Sequence, residues 1–191
     1  IEKANEFYQD HPNREKAQFF HEDIYNATKL GTYDLIYTRD VIEHLPDKSG
    51  FLQLCRKHLS HNGKLFMGFP PWQNPFGGHQ QTCESRFLSK LPYFHLLPRL
   101  MYRGMLKLFK EKEIRIKGLM NTASTGISID KLERLLKKHN YHVDKKVLWF
   151  INPNYETKFN LKPRRQNRII GAIPWLRNFF TTAGYYIVSP K

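Results

Sequence analysis

Apolar and polar positions alternate between two rhythms along this chain. Leu35, Ile36 and Tyr37 form an unbroken apolar run between Asp34 and Arg39. Such a run predicts a strand covered on both faces, as in a parallel sheet between helices. Phe19 and Phe20, within 17–23, predict a buried strand upstream that ends on Asp23, and 64–70 (KLFMGFP) predicts another downstream. Helical spacing takes over elsewhere. Ile1, Ala4, Phe7 and Tyr8 predict a helix over 1–10, stopped by His11-Pro12. Phe51, Leu52, Leu54, Cys55 and Leu59 mark an inward face over 47–61. Asp47 or Ser49 can cap that helix, and Asn62-Gly63 offers a left-handed stop. Over 99–110, Leu100, Met101, Met105, Leu108 and Phe109 interleave with Arg99, Arg103, Lys107 and Lys110. The charge run 110–117 reads as a solvated face. Ser128 caps a predicted helix over 128–140 that Asn140 ends, with Ile129, Leu132, Leu135 and Leu136 along one side. A strand follows over 141–151, with Val143, Val147 and Trp149 on one face, and 185–188 is predicted to pair antiparallel with it.

This order of elements predicts an α/β fold in one domain, 1–191. Two segments stand outside the rhythm. Residues 71–126 form a long insertion that opens on PPWQNPFGGHQQ (70–81), a shaped loop rich in Pro and Gly. Residues 152–183 place Arg164, Arg165 and Arg168 beside Ile169, Ile170, Ile173, Trp175, Leu176, Phe179 and Phe180.

Composition narrows the class. Hydrophobic residues at 40% and aromatics at 14% suit a globular protein and exclude a disordered one. No run of 18 apolar residues is present, so no membrane span is expected. Cys55 and Cys83 show neither a disulfide framework nor metal-ligand spacing, which suits reduced thiols in a cytoplasmic protein. The formal net charge of +14 favours an anionic partner: nucleic acid, an acidic or phosphorylated substrate, or an anionic membrane surface. A basic solvated surface with no partner is the plain alternative.

Chemistry-bearing residues gather where strands run out. Arg39, Asp40, Glu43 and His44 follow the 35–37 run at once. The carboxyl edge of an open α/β sheet is where such folds bind ligands. His44 titrates near neutral pH and is a candidate general base for a hydroxyl acceptor. The plainer reading is that Glu43 and His44 orient a loop or cap a helix. His79 is the second candidate base, because Gly77-Gly78 lets the backbone approach closely. Trp72 and Phe76 offer stacking faces, and Gln80 and Gln81 offer the hydrogen bonds a sugar needs. The same loop read plainly is a lid packed shut by its aromatics. The histidines show no ligand spacing, and no metal is assigned.

Three segments in sequence resemble class I S-adenosylmethionine-dependent methyltransferases of the type 11/12-like group. YDLIYTRDVIEHL (33–45) is similar to the family's "fDlI…vleHl" motif, 17–23 to the strand before it, and 59–70 to the strand after it. GISIDKLERLLKKHNYHV (126–143) resembles the late "s…el…ll…aGF.v" segment. The resemblance implies a Rossmann-like fold of three layers, with a mostly parallel sheet and an antiparallel C-terminal strand. It implies S-adenosylmethionine as cofactor and methyl transfer to an oxygen or nitrogen. By resemblance, Asp23 receives the adenine amino group with the Ile24 amide beside the ring. The backbone at Thr38 and Arg39 runs beneath the methionine part, and Asp40 faces the acceptor. Asp23 alone reads more readily as a turn or helix-cap residue, and the motif that follows tips it toward the adenine.

IEKANEF (1–7) resembles the helix after the family's second strand, so the glycine-rich turn and ribose-holding acid would lie upstream; no G-x-G-x-x-G occurs here. The expectation is an N-terminally truncated fold, a degenerate module without cofactor, or strands supplied by a partner, in that order. The acceptor expected is a small molecule or a saccharide carried on a lipid, with the protein cytoplasmic and in peripheral contact with the inner face of the membrane. Nucleic acid ranks lower, as an RNA methyltransferase binding through Arg164, Arg165 and Arg168. The oligomeric state is not legible.

Overall fold

A computed structural model of the chain describes residues 1–28 and 30–191. They form two units, Ile1–Gly31 and Thr32–Lys191.

In the first unit, helix α1 (Glu2–Phe7) is followed by a single 3-10 turn at Arg14–Lys16. Tyr8 packs its ring 4.6 Å from His11 and edge-on to Phe19 at 5.5 Å. The strand predicted over 17–23 does not form, and Phe19 and Phe20 are exposed rather than buried. An extended segment becomes a strand only where a neighbour takes its backbone hydrogen bonds, and among the described residues of the first unit no strand is present.

The second unit runs β1 (Tyr33–Arg39), α2 (Lys48–His58), β2 (Leu59–Phe69), α3 (Arg99–Leu108), α4 (Glu113–Thr125), α5 (Ile129–Lys138), β3 (Tyr141–Ile151), α6 (Asn154–Phe159), β4 (Arg164–Arg165), α7 (Arg168–Ala172), α8 (Leu176–Phe179) and β5 (Ala183–Pro190). Its sheet has the order β1-β2-β5-β3-β4. β1 and β2 are parallel, and the later strands pair antiparallel. β5 enters between β2 and β3, pairing with β3 as the sequence predicts.

Asp47 caps α2, accepting the Gly50 amide at 2.8 Å. The left-handed stop predicted at Asn62-Gly63 is absent: α2 ends at His58 and the chain goes directly into β2. Gly63 is needed for space instead. A Cβ there would sit 2.9 Å from the Tyr33 carbonyl oxygen. Its neighbourhood is the irregular start of the β1–β2 ladder, where the register shifts between Tyr33 and Leu35.

Leu65, Met67 and Phe69 of β2 and Tyr186 and Val188 of β5 face one core with Phe51, Leu52 and Cys55 of α2 and Ile129, Leu132 and Leu136 of α5. Ser128 caps α5, accepting the Lys131 amide at 3.1 Å. The opposite sheet face carries a row of rings. Tyr37 stacks on Phe66 at 4.8 Å, Phe66 meets Tyr185 edge-on at 5.6 Å, and Tyr185 meets Trp149 at 6.1 Å. On β1, Leu35 and Tyr37 are each 59% exposed, so the two-sided burial predicted for this run is not realised. Within the unit, α2 and α5 share the other face. A register shift between Val143 and Lys145 separates Val143, packed against the core, from Val147, which pairs with Tyr185. The single face predicted for Val143, Val147 and Trp149 therefore splits at an extra residue.

The insertion 71–126 builds a second core from Cys83, Leu88, Phe94, Tyr102, Leu106, Ile116 and Leu119. The charge run 110–117 starts α4, which buries Ile116 among its charged neighbours. The segment 152–183 is tied to α5 by one buried cluster. Arg177 donates to Asp130 at 2.7 Å and to Glu133 at 2.6 Å. Asn178 accepts the Ile129 amide at 2.7 Å and donates to Asp130 at 2.6 Å. Removing one partner strands charge in a site with little solvent. Arg177→Ala should cost on the order of 3 kcal/mol in denaturant unfolding. Lys112→Ala, which removes an exposed pair with Glu84, should change stability by less than about 1 kcal/mol.

Candidate active site at the carboxyl edge of β1 and β2

Because β1 and β2 are parallel, with Arg39 opposite Gly68, both chains leave the sheet at the same edge. Asp40 donates its amide to the Gly68 carbonyl at 2.8 Å and turns out of β1 with φ 54°, a left-handed conformation. A tight turn over 41–45 follows, closed by the His44 amide on the Val41 carbonyl at 2.9 Å. This turn points Ile42 and Glu43 inward and leaves His44 outside. After β2, the 70–79 loop brings His79 to the same place. The His44 and His79 rings meet edge-on, with centroids 4.9 Å apart.

The loop that carries His79 is held from within. Asn74 donates to the Pro71 carbonyl at 2.7 Å and accepts the Phe76 amide at 2.8 Å. A Cβ on Gly78 would lie 2.3 Å from the His95 Cβ, so the close approach read from the glycine pair is a packing requirement. His79 itself has φ 58°. His95 donates from Nε2 to the Trp72 carbonyl at 2.7 Å, which leaves Nδ1 to accept Gln80 Nε2 at 3.3 Å. That pair of bonds sets one neutral tautomer.

Burial shifts the ionisable groups together. Glu43 is 2% exposed, and burial raises its carboxyl to about 7, with the nearness of its own backbone amide and the Lys48 charge opposing the rise and the Asp40 charge adding to it. Among the described residues, neither carboxylate oxygen of Glu43 has a hydrogen-bond partner of ordinary geometry. Burial lowers His44 and His79, against the pull of Asp40. Both imidazoles are therefore neutral proton acceptors at neutral pH. Burial takes His95 down to about 4 despite its bond to the Trp72 carbonyl.

A cleft of about 310 Å³ opens beside His79. Asp40 and Phe76 line it, together with Asn152, Tyr155 and Lys158 from the turn after β3 and from α6. Asp40, His44, Phe76 and His79 are thus brought together as a group. Trp72 and Gln80 stand behind the loop: Trp72 packs edge-on against His95 at 4.7 Å, and the fully buried Gln80 donates to the Pro75 carbonyl at 2.7 Å. Neither lines this cleft, because their polar and ring surfaces are spent on shaping the loop.

Thr38 gives its hydroxyl to the Phe66 carbonyl at 3.1 Å, and Arg39 Nε lies 3.8 Å from the Asp40 carboxylate. Asp23 and Ile24 lie in the first unit. Asp23 accepts the Tyr25 amide at 3.0 Å, the bond of a turn residue, and a carboxylate so engaged keeps lone pairs for a further donor such as an adenine amino group.

Asn152, Tyr155 and Lys158 were not singled out from sequence. Their signal is faint: an Asn-Pro-Asn turn directly after a strand. Glu43 was singled out only as an orienting group.

His95 offers a pH test. In the unfolded chain it takes up a proton below about pH 6.5, whereas the folded protein resists protonation down to about pH 4. The unfolded state then holds more protons in that window, and stability falls as pH falls through it. Between pH 7 and pH 5 the wild type should lose about 2 kcal/mol more stability than His95→Gln, read from urea unfolding at each pH.

Residues 1–67 match a family model described as a methyltransferase domain. Two solved structures share the fold. One is an S-adenosylmethionine-dependent methyltransferase of Clostridium acetobutylicum (TM-score 0.53, 11% identity, 99% of this chain and 70% of that one). The other, from Thermotoga maritima, is described as an S-adenosylmethionine-dependent methyltransferase and possible histamine N-methyltransferase (TM-score 0.50, 12% identity, covering 89% of this chain). This chain spans 62% of the Thermotoga protein's length. No curated protein matches the sequence. The fold is that of class I S-adenosylmethionine-dependent methyltransferases.

Proposed function

We propose, from this methyltransferase domain and fold, that the protein transfers a methyl group from S-adenosylmethionine to an oxygen or nitrogen of a small-molecule or saccharide acceptor. The observation that supports it is the meeting of Asp40, His44 and His79 at one strand edge, beside a cleft walled by both polar and aromatic side chains. The cofactor, when bound, supplies a methyl group already activated by its sulfonium, so the protein's work is alignment and proton removal. Thr38 and Arg39 would border the methionine part, and Asp23 and Ile24 the adenine.

In the cleft, Phe76 gives an apolar wall, while Asn152, Tyr155 and Lys158 offer donors that orient a polyhydroxylated acceptor. His79 accepts the proton released as an acceptor hydroxyl becomes an ether. Its lowered pKa keeps it neutral and ready for this. His44, edge-on at 4.9 Å, is the alternative acceptor of that proton.

Full-length protein titrated with S-adenosylmethionine should bind it, and Asp23→Ala should weaken binding about tenfold, roughly one lost hydrogen bond to a charged group. No detectable binding would favour the reading as a partner-binding module without catalysis. His79→Asn should cut transfer of labelled methyl onto a glycan and small-molecule panel by about 100-fold.

A lipid-linked acceptor draws support from α3. Leu100 and Leu108 are 87% and 76% exposed, on a helix that also carries Arg103 and Lys107. Basic and apolar residues so mixed suit the surface of an anionic bilayer. No helix among the described residues is long and apolar enough to cross one. Sedimentation with phosphatidylglycerol vesicles should pull down the protein, and Leu100→Glu with Leu108→Glu should reduce the bound fraction several-fold. Salt-sensitive RNA binding that maps to Arg164, Arg165 and Arg168, without vesicle binding, would turn the reading toward an RNA acceptor.

A further inference from the structure

We infer that Glu43, His44 and His79 form a binding site for a divalent first-row transition cation such as Zn²⁺, facing the acceptor cleft. One ligand atom from each lies within 4.8 Å of the others. Glu43 and His44 come from the turn after β1 and His79 from the loop after β2, so the set exists only once the two parallel strands are side by side.

Two independent observations point to a cation. The first is the state of Glu43. It is almost fully buried, and both of its oxygens lack a hydrogen-bond partner. A buried carboxylate left unpaired is strongly unfavourable, and such groups are found paired or ligating metals. Lys48, the buried ammonium on the next helix, eases it through its charge but makes no hydrogen bond to it. Its Nζ donates to the Leu45 carbonyl at 2.6 Å and to the Thr125 carbonyl. His44 Nε2 lies 3.9 Å from Glu43 Oε1, but a neutral imidazole at that distance does not balance the carboxylate. The second is the local field. The Asp40 carboxylate acts on Glu43, His44 and His79 alike, partly offset by Lys48 and by Arg39 3.8 Å from Asp40, so two carboxylates lie close to the imidazole pair in a chain of net charge +14.

Two imidazoles and one carboxylate are a donor set that suits Zn²⁺ and its first-row neighbours rather than Mg²⁺ or Ca²⁺. Bonds of about 2.0–2.2 Å require ligand atoms roughly 3.4 Å apart in a tetrahedron. His44, exposed and edge-on to His79, is the side chain with room to close that gap. His79 also lines the cleft, so a fourth position would face the acceptor. A hydroxyl bound there would lose its proton more easily, and the cation would replace His79 as the activating group. That last consequence rests on the methyl-transfer reading; the site itself does not.

The test uses the full chain, stripped with chelator and titrated with Co²⁺ or Zn²⁺ alone, without S-adenosylmethionine or acceptor. One Co²⁺ should bind per chain, with visible d–d absorption that Zn²⁺ abolishes. Glu43→Gln, His44→Asn and His79→Asn should each weaken binding at least tenfold, and His142→Asn, exposed on β3, should not. His44→Asn alters an exposed side chain and keeps the inference testable if the buried variants fail to fold. Absence of stoichiometric binding, or affinity that survives His44→Asn and His79→Asn, would overturn the site. Cobalt binding without S-adenosylmethionine binding would uphold this site and sink the methyl-transfer reading. The converse would sink the site alone.

Discussion

Burial of one face of the sheet beneath α2 and α5 is the constraint on which the second unit depends. Leu65, Met67 and Phe69 of β2 stand at its centre, with Leu52, Ile129 and Leu136 against them, all within one apolar cluster. Each such side chain removed from water contributes about 1.5–3 kcal/mol. The helix α2 is also the crossover that returns the chain to the sheet's starting edge. β1 and β2 must then run parallel, and parallel strands deliver their ends to one side. A hairpin in place of α2 would have sent Asp40 and the 70–79 loop to opposite rims.

Local features spend stability at that edge. Asp40 and His79 both hold left-handed backbone, unusual for residues with a Cβ. Glu43 is buried without hydrogen-bond partners. Behind them hydrogen bonds tie the loop down, although Gln73 Oε1 and Gln80 Oε1 find no partner among the described residues: Asn74 bonds to the loop's own backbone, and the neutral His95 bridges Trp72 and Gln80. Strain and burial at the front, with a hydrogen-bonded scaffold behind, is the arrangement expected where chemistry needs fixed groups.

The late segment 152–183 divides its basic residues. Arg164, Arg165 and Arg168 stay exposed. Arg177 nevertheless turns inward to Asp130 and Glu133, and that cluster, with Tyr186 donating to Glu133 at 2.9 Å, positions the entry into β5. The turn after β3 lends Asn152, Tyr155 and Lys158 to the cleft, with Asn152 accepting the Tyr185 hydroxyl at 3.2 Å.

Much of this architecture was legible in the residues themselves. Apolar periodicity located α2, α3, α5 and β3, Asp47 and Ser128 announced two helix starts, and the residues after the 35–37 run marked the strand edge where the candidate site lies. These signals are local, set by backbone capping and by which side of an element meets water. What the chain could not show by itself depends on distant partners. Residues 17–23 have strand composition but form no strand, Leu35 and Tyr37 are apolar yet open, and Trp72 and Gln80 serve the loop and not the cleft. The meeting of Glu43 and His44 with His79 likewise follows no spacing rule, because their separation in sequence is filled by a helix and a strand. Only the parallel pairing of β1 with β2 brings them within reach, since ligand geometry is a property of where elements end in space.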